Sequence, residues 1–128
     1  MLKKRIRFKP LMDRVSDPDT ACLHIKDGTN VFISGFTAGY PKLIPQALVR
    51  RAEAGEQFKI NLFAGASTGD QVDGILARAG LLGWRRPYMS DRGMREMINK
   101  EQILFKDDHL SRLSAQVRNG GWGRAHVA

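Results

Sequence analysis

One cysteine, Cys22, stands in 128 residues, which excludes an internal disulfide and any multi-cysteine zinc site and suits a reducing compartment. Histidine is almost as sparse, because His24, His109 and His126 are scattered without metal-ligand spacing. No apolar stretch approaches the roughly 20 residues needed to cross a bilayer. Positions 1–9, where a signal peptide would be apolar, carry Lys3, Lys4, Arg5, Arg7 and Lys9. A soluble, cytoplasmic chain with no membrane partner and no bound metal is the expectation. Acid is also short, with 13 Asp plus Glu against 21 Lys plus Arg and a formal charge of +8.

What is present is a core-forming composition. Hydrophobic residues make up 42% and charged ones 27%, which argues against disorder and low complexity and suits one domain at most. The positive excess is concentrated in residues 1–14, where Lys3, Lys4, Arg5, Arg7, Lys9 and Arg14 face Asp13 alone. We divide the chain into this basic N-terminal arm and a nearly neutral body, residues 15–128. Such an arm suits phosphate binding, an anionic surface, a solvated leader or packing on a partner domain. Only Phe8 is aromatic within it and no recognition motif follows it, so nucleic acid is a minor reading.

From Ser16 the pattern is α/β. A capping residue, Pro18 and Asp19 predict a helix running to about Lys26, with Ala21, Cys22 and Ile25 inward and Gly28 as a left-handed end. Residues 30–34 predict a buried strand, and residues 42–54 a helix whose regular part starts at Pro45. The unit then repeats, with a strand at 58–64, a glycine loop at 65–69 and a helix at 71–79. Strand, glycine loop, helix twice over is the mark of right-handed βαβ crossovers and a parallel sheet, whose ligands sit at the C-terminal strand ends. Further on, residues 85–88 read as extended, 93–99 as helix, 103–105 as a third short strand and 110–117 as helix. The last ten residues read as a glycine turn with a strand just starting.

Both glycine loops, 35–39 and 65–69, bring backbone amides and a helix start together, which favours an anion. Neither carries a nucleotide motif, and a plain tight turn explains each equally well. Ser67 and Thr68 suit hydroxyl donation to a carboxylate or thioester oxygen, or an N-cap. Asp70 and Asp73 suit the dipole of the following helix better than a catalytic pair. His109, after Asp107 and Asp108, suits acid/base work or a structural or surface role, the second being the plainer reading. Cys22 reads as a buried, inert thiol.

Two stretches go further than spacing. Ser34-Gly35-Phe36-Thr37-Ala38-Gly39-Tyr40-Pro41-Lys42 and Gly65-Ala66-Ser67-Thr68-Gly69 resemble hallmark stretches of the acetyl-CoA hydrolase/transferase family, in particular its succinyl-CoA:acetate CoA-transferases. The resemblance extends over Arg5-Ile6-Arg7, Asp73-Gly74, Pro87 through Asp91, Asp108-His109-Leu110 and the closing residues 120–128. It implies a parallel-sheet CoA-transferase-like α/β domain and an active site built between two related domains. It also implies a homodimer for the full-length enzyme. The implied chemistry is ping-pong: a glutamate attacks an acyl-CoA thioester to form a mixed anhydride, and CoA returns to give a glutamyl-CoA thioester. A second carboxylate then consumes that thioester. Coenzyme A is then a substrate, and no cofactor is expected to be held.

The resemblance also bounds what this chain holds. The family's nucleophilic glutamate and most of its CoA contacts lie in the second half of a longer protein. Glu53, Glu56, Glu96 and Glu101 do not match that glutamate's motif, so no catalytic residue is assigned. The first loop is one small residue shorter between Thr37 and Gly39 than the family's usual form, and His126 stands where an acid is common. The matching pattern stops at Val127 and Ala128, inside the family's next core strand, so a truncated N-terminal domain is expected. By resemblance, Ser67 and Ser90 line a carboxylate pocket as hydroxyl donors, and Gly35, Phe36, Thr37, Gly39 and Tyr40 form the strip beside the acyl group. The rival expectations are a non-catalytic module that pairs with a separate second half, and nucleic-acid binding by the arm.

Overall fold

A computed structural model describes residues 5–34 and 40–118. Within the arm, Lys9–Arg14 makes a 3-10 turn with no buried residue. Helix α1, Pro18–Cys22, is capped by Asp17, whose Oδ1 accepts the Thr20 amide at 2.9 Å. It stops four residues before the expected Lys26. The carbonyls of Cys22 and Ile25 accept instead from Nη1 of Arg51, at 2.6 and 3.0 Å, which draws the chain into a tight turn. Gly28 keeps its left-handed φ of +73°, but it turns the chain into the sheet rather than ending the helix.

Strand β1 is Asn30–Ile33, helix α2 is Leu43–Glu53 and strand β2 is Ile60–Ala64. Pro45 sits in the first turn of α2, where no intrahelical N–H is required, so the helix begins two residues earlier than expected. After β2, a single π-helical turn, Asp70–Gly74, leads into α3, Ile75–Arg78. Strand β3 is Leu82–Arg86, α4 is Arg92–Asn99, β4 is Leu104–Phe105 and α5 is Leu110–Arg118.

The sequence pattern puts an extended segment at 85–88 and yields three strands; the chain instead forms a fourth, β3, ending at Arg86. Pro87 offers no N–H to continue the ladder, and the Arg86–Pro87 peptide is cis. Gly83 lets β3 lie close to β2, since a Cβ there would sit 3.3 Å from Asn61 Oδ1.

The four strands are all parallel, in the order β1-β2-β3-β4. Helices α1 to α4 pack each on the next, so they form one layer, as right-handed crossovers along a sheet of this order require. One face of the sheet meets that layer: Ile33, Ile60, Leu62 and Leu82 pack with Leu48, Val72, Leu76 and Met94 in one cluster, and a register shift opposite Ile60 and Asn61 is what lets Leu82 and Trp84 take opposite faces. The opposite face carries Phe32, Phe63, Trp84 and Arg86. Phe63 and Trp84 meet edge to face with centroids 6.1 Å apart. Because every strand is parallel, Ile33, Ala64, Arg86 and Phe105 end at one rim.

Candidate functional site

That rim holds the second glycine loop. Gly69 has φ +68° and ψ −168°, a conformation open to glycine and costly for other residues. Its carbonyl accepts from the Asp73 and Gly74 amides at 2.9 and 3.4 Å, which starts the helix with a π turn. The loop is thereby folded back over the end of β2, with Ser67 and Thr68 buried.

The next loop brings Ser90 to Ser67. The two Oγ atoms are 2.7 Å apart, and the Ser90 amide donates to Ser67 Oγ at 3.0 Å. A hydroxyl has one proton and two acceptor positions. The pair therefore holds two protons and uses one between its oxygens. Ser67 is buried and Ser90 exposed; either hydroxyl can donate to the other, and the pair keeps one further proton for an outside acceptor. Asp91 caps α4 beside it, its Oδ1 accepting the Met94 amide at 2.8 Å, and Arg95 Nη2 donates to the Ser90 carbonyl at 3.5 Å.

Beneath the pair, Arg85 and Arg86 leave β3 on opposite faces, as consecutive strand residues must. Arg85 is fully buried and ion-paired with Asp73, also fully buried: Nε meets Oδ1 at 2.8 Å and Nη2 meets Oδ2 at 3.1 Å. On the other face Arg86 pairs with the nearly buried Asp108, toward which Arg112 also reaches at 3.8 Å. Burial, and secondarily the charge of Arg112, lowers the Arg86 pKa from its ordinary value.

The expected site residues thus divide. Ser67 and Ser90 are in direct contact, and Tyr40 reaches the same loop: its hydroxyl lies 3.5 Å from where a Gly69 Cβ would stand. Gly35, Phe36, Thr37 and Gly39 lie outside the described residues, as do the last ten residues of the chain. Asp73, expected to complement a helix dipole, is instead the partner of Arg85 and accepts the Thr68 amide at 3.1 Å. Asp70 does stay at the exposed helix start, where its hydrogen bond with Arg78 lowers its pKa. His109 is exposed and bonds Ser111 through Nδ1 at 2.7 Å. Cys22 is buried, its thiol donating to the Asp19 carbonyl. Sequence reading missed Arg85 and Arg95, and the only signal for Arg85 was a charge within an otherwise strand-like run.

Among the described residues no group of three or more metal-ligating side chains forms, and no helix is long and apolar enough to cross a membrane. One depression of about 460 Å³ lies at the opposite end of the strands, beside Asp27, Phe58 and Gly80.

A parallel α/β sheet with paired hydroxyls at its C-terminal rim defines a domain that presents small polar groups from βα loops. The acetyl-CoA hydrolase/transferase N-terminal domain matches residues 1–127, and the chain belongs to that family. It is 42% identical over 117 residues to a succinyl-CoA:acetate CoA-transferase of Clostridium kluyveri, with 90% of this chain and 22% of that protein covered. A propanoyl-CoA:succinate CoA transferase of Escherichia coli is 39% identical over 109 residues, covering 81% of this chain and 22% of the relative. An acetyl-CoA hydrolase of Saccharomyces cerevisiae is 30% identical over 128 residues, covering 97% and 24%. The chain thus spans under a quarter of the length of these relatives.

Proposed function

We propose that this chain supplies the carboxylate-side wall of an enzyme that moves CoA between an acyl-CoA and a small carboxylate of the acetate or succinate kind. The transfer runs through a glutamyl-CoA intermediate. The observation that carries this reading is the Ser67–Ser90 hydroxyl pair, which keeps one proton beyond the bond between its oxygens. Carboxylate oxygens only accept hydrogen bonds, so a rigidly held donor beside the positive Arg95 suits them. Tyr40 and the second loop bound the same spot.

The nucleophile is proposed to come from outside this chain. Helices in βαβ units run antiparallel to their strands, so Glu53 at the end of α2 and Glu56 just after it lie toward the far rim. Glu56 is engaged by Arg51 and Glu96 by Arg92, and Glu101 lies beyond the end of α4.

Two measurements test this. Succinyl-CoA and labelled acetate given to the purified chain should produce no labelled acetyl-CoA, and robust turnover would overturn the assignment of the nucleophile elsewhere. Acetate titrated into the isotope-labelled chain should shift the Ser67 and Ser90 amides where chloride at equal ionic strength does not; unmoved amides would overturn the carboxylate site. A second reading, a non-catalytic module that pairs with a separate second half, is favoured by Phe32 and Leu104, 46% and 67% exposed on the sheet face opposite the α1–α4 layer. Co-elution with a co-expressed second half, without any acetate effect on the two serines, would select it.

A further inference from the structure

We propose that Arg85 is a positioning residue that fixes the geometry of the Ser67–Ser90 hydroxyl pair from below. It rests on the carboxylate-site reading only for its consequence in binding, and its structural core stands apart from that reading.

Every N–H of the guanidinium has a destination. Nε and Nη2 take the two oxygens of Asp73; Nη2 also donates to the Ala66 carbonyl at 3.2 Å, and Nη1 donates to the Arg86 and Pro87 carbonyls at 2.7 and 3.2 Å. Ala66 immediately precedes Ser67. Arg86 and Pro87 open the segment that delivers Ser90. Asp73 in turn holds the Thr68 amide, immediately after Ser67. One planar cation therefore spans the two loops whose tips must meet for the hydroxyls to touch, and it ties the chain on both sides of Ser67.

Charge alone does not require this arrangement. An ion pair needs only one point charge near Asp73, whereas bridging Asp73, Ala66, Arg86 and Pro87 together needs the five-donor fork of arginine. Lysine can keep the pair and cannot keep the span. Arg85→Lys thus separates a fold-holding role from a positioning one.

Hydrogen exchange and acetate titration, read by NMR on the whole chain, form the test. In the parent chain the Arg85 Nε–H should give a slowly exchanging signal; a rapidly exchanging or absent one would overturn the strut. In Arg85→Lys, amides within β2 and β3 should keep their protection, while the Ser90 amide, which donates to Ser67, should lose about five- to tenfold, the loss of one net hydrogen bond. Unchanged Ser90 protection would overturn the proposal. Should that variant fail to fold, the neutral pair Arg85→Met with Asp73→Leu removes both charges together, and the same selective loss at Ser90 is expected. Acetate-induced shifts at Ser67 and Ser90 should weaken in step with the protection. If the parent shows no acetate shifts while Ser90 protection still falls in the variant, the positioning role stands and the carboxylate reading alone is lost.

Discussion

At the scale of single residues, the buried Arg85–Asp73 pair sets the largest penalties. Neither charge reaches water in the folded state, so each is tolerable only while the other is present. Truncating one partner leaves a buried, uncompensated charge. Arg85→Ala should therefore cost about 3–5 kcal/mol of unfolding free energy, whereas Arg85→Met combined with Asp73→Leu should cost far less. Urea denaturation followed by circular dichroism measures both. A double variant as unstable as the single one would mean that the carbonyl contacts, and not charge compensation, hold the site. Asp91 offers a smaller effect. Its side chain satisfies the Met94 amide at the start of α4, so Asp91→Ala should lower stability by about 1 kcal/mol.

At the scale of elements, the second loop depends on one backbone conformation. Gly69 at φ +68° turns the chain from β2 into the π turn that carries Asp73. Gly69→Ala should cost about 1–3 kcal/mol, because an L side chain is strained at that φ, while the Tyr40 hydroxyl, 3.5 Å from the added carbon, leaves it room. A thermal melt unmoved from the parent would refute the strain. This loop was legible in the sequence because glycines between an apolar run and a helical period punctuate the chain locally. Strands β1 and β2 and helices α2, α4 and α5 were legible for the same reason, to within a few residues. Strand β3 was not: its burial at Arg85 and Arg86 rests on Asp73 and Asp108, one contributed by the turn before α3 and the other by the segment after β4. Local pattern reads an arginine pair as surface, and only the assembled sheet supplies the carboxylates. The same holds for the site. Ser67 and Ser90 were named by resemblance, but nothing local brings them together, and the cation joining their loops carries no motif.

At the scale of the whole molecule, charge governs the response to acid. The chain is already at +8, so protonating its carboxylates moves it further from neutrality and increases self-repulsion. Three surface carboxylates also lose native partners. The Thr20 amide and hydroxyl hold Asp17 below its ordinary 3.8, the Arg51 guanidinium holds Glu56 below 4.5, and Arg78 holds Asp70 below 3.8. In each case the unfolded chain binds its proton at higher pH than the folded one. Between the two values unfolding takes up protons, so stability rises with pH across that window and falls as pH drops through it. The contribution is complete above about pH 5 and is lost progressively below about pH 4.5. Thermal midpoints recorded by scanning fluorimetry should therefore be level from about pH 5 to 8 and decline from about pH 4.5 downward. Asp70→Asn and Glu56→Gln together should flatten the upper part of that decline while lowering the neutral plateau slightly, since both pairs are exposed and screened by solvent. A midpoint that climbs as the pH falls from 5 to 3 would show that the acid-side balance is set by groups other than these three.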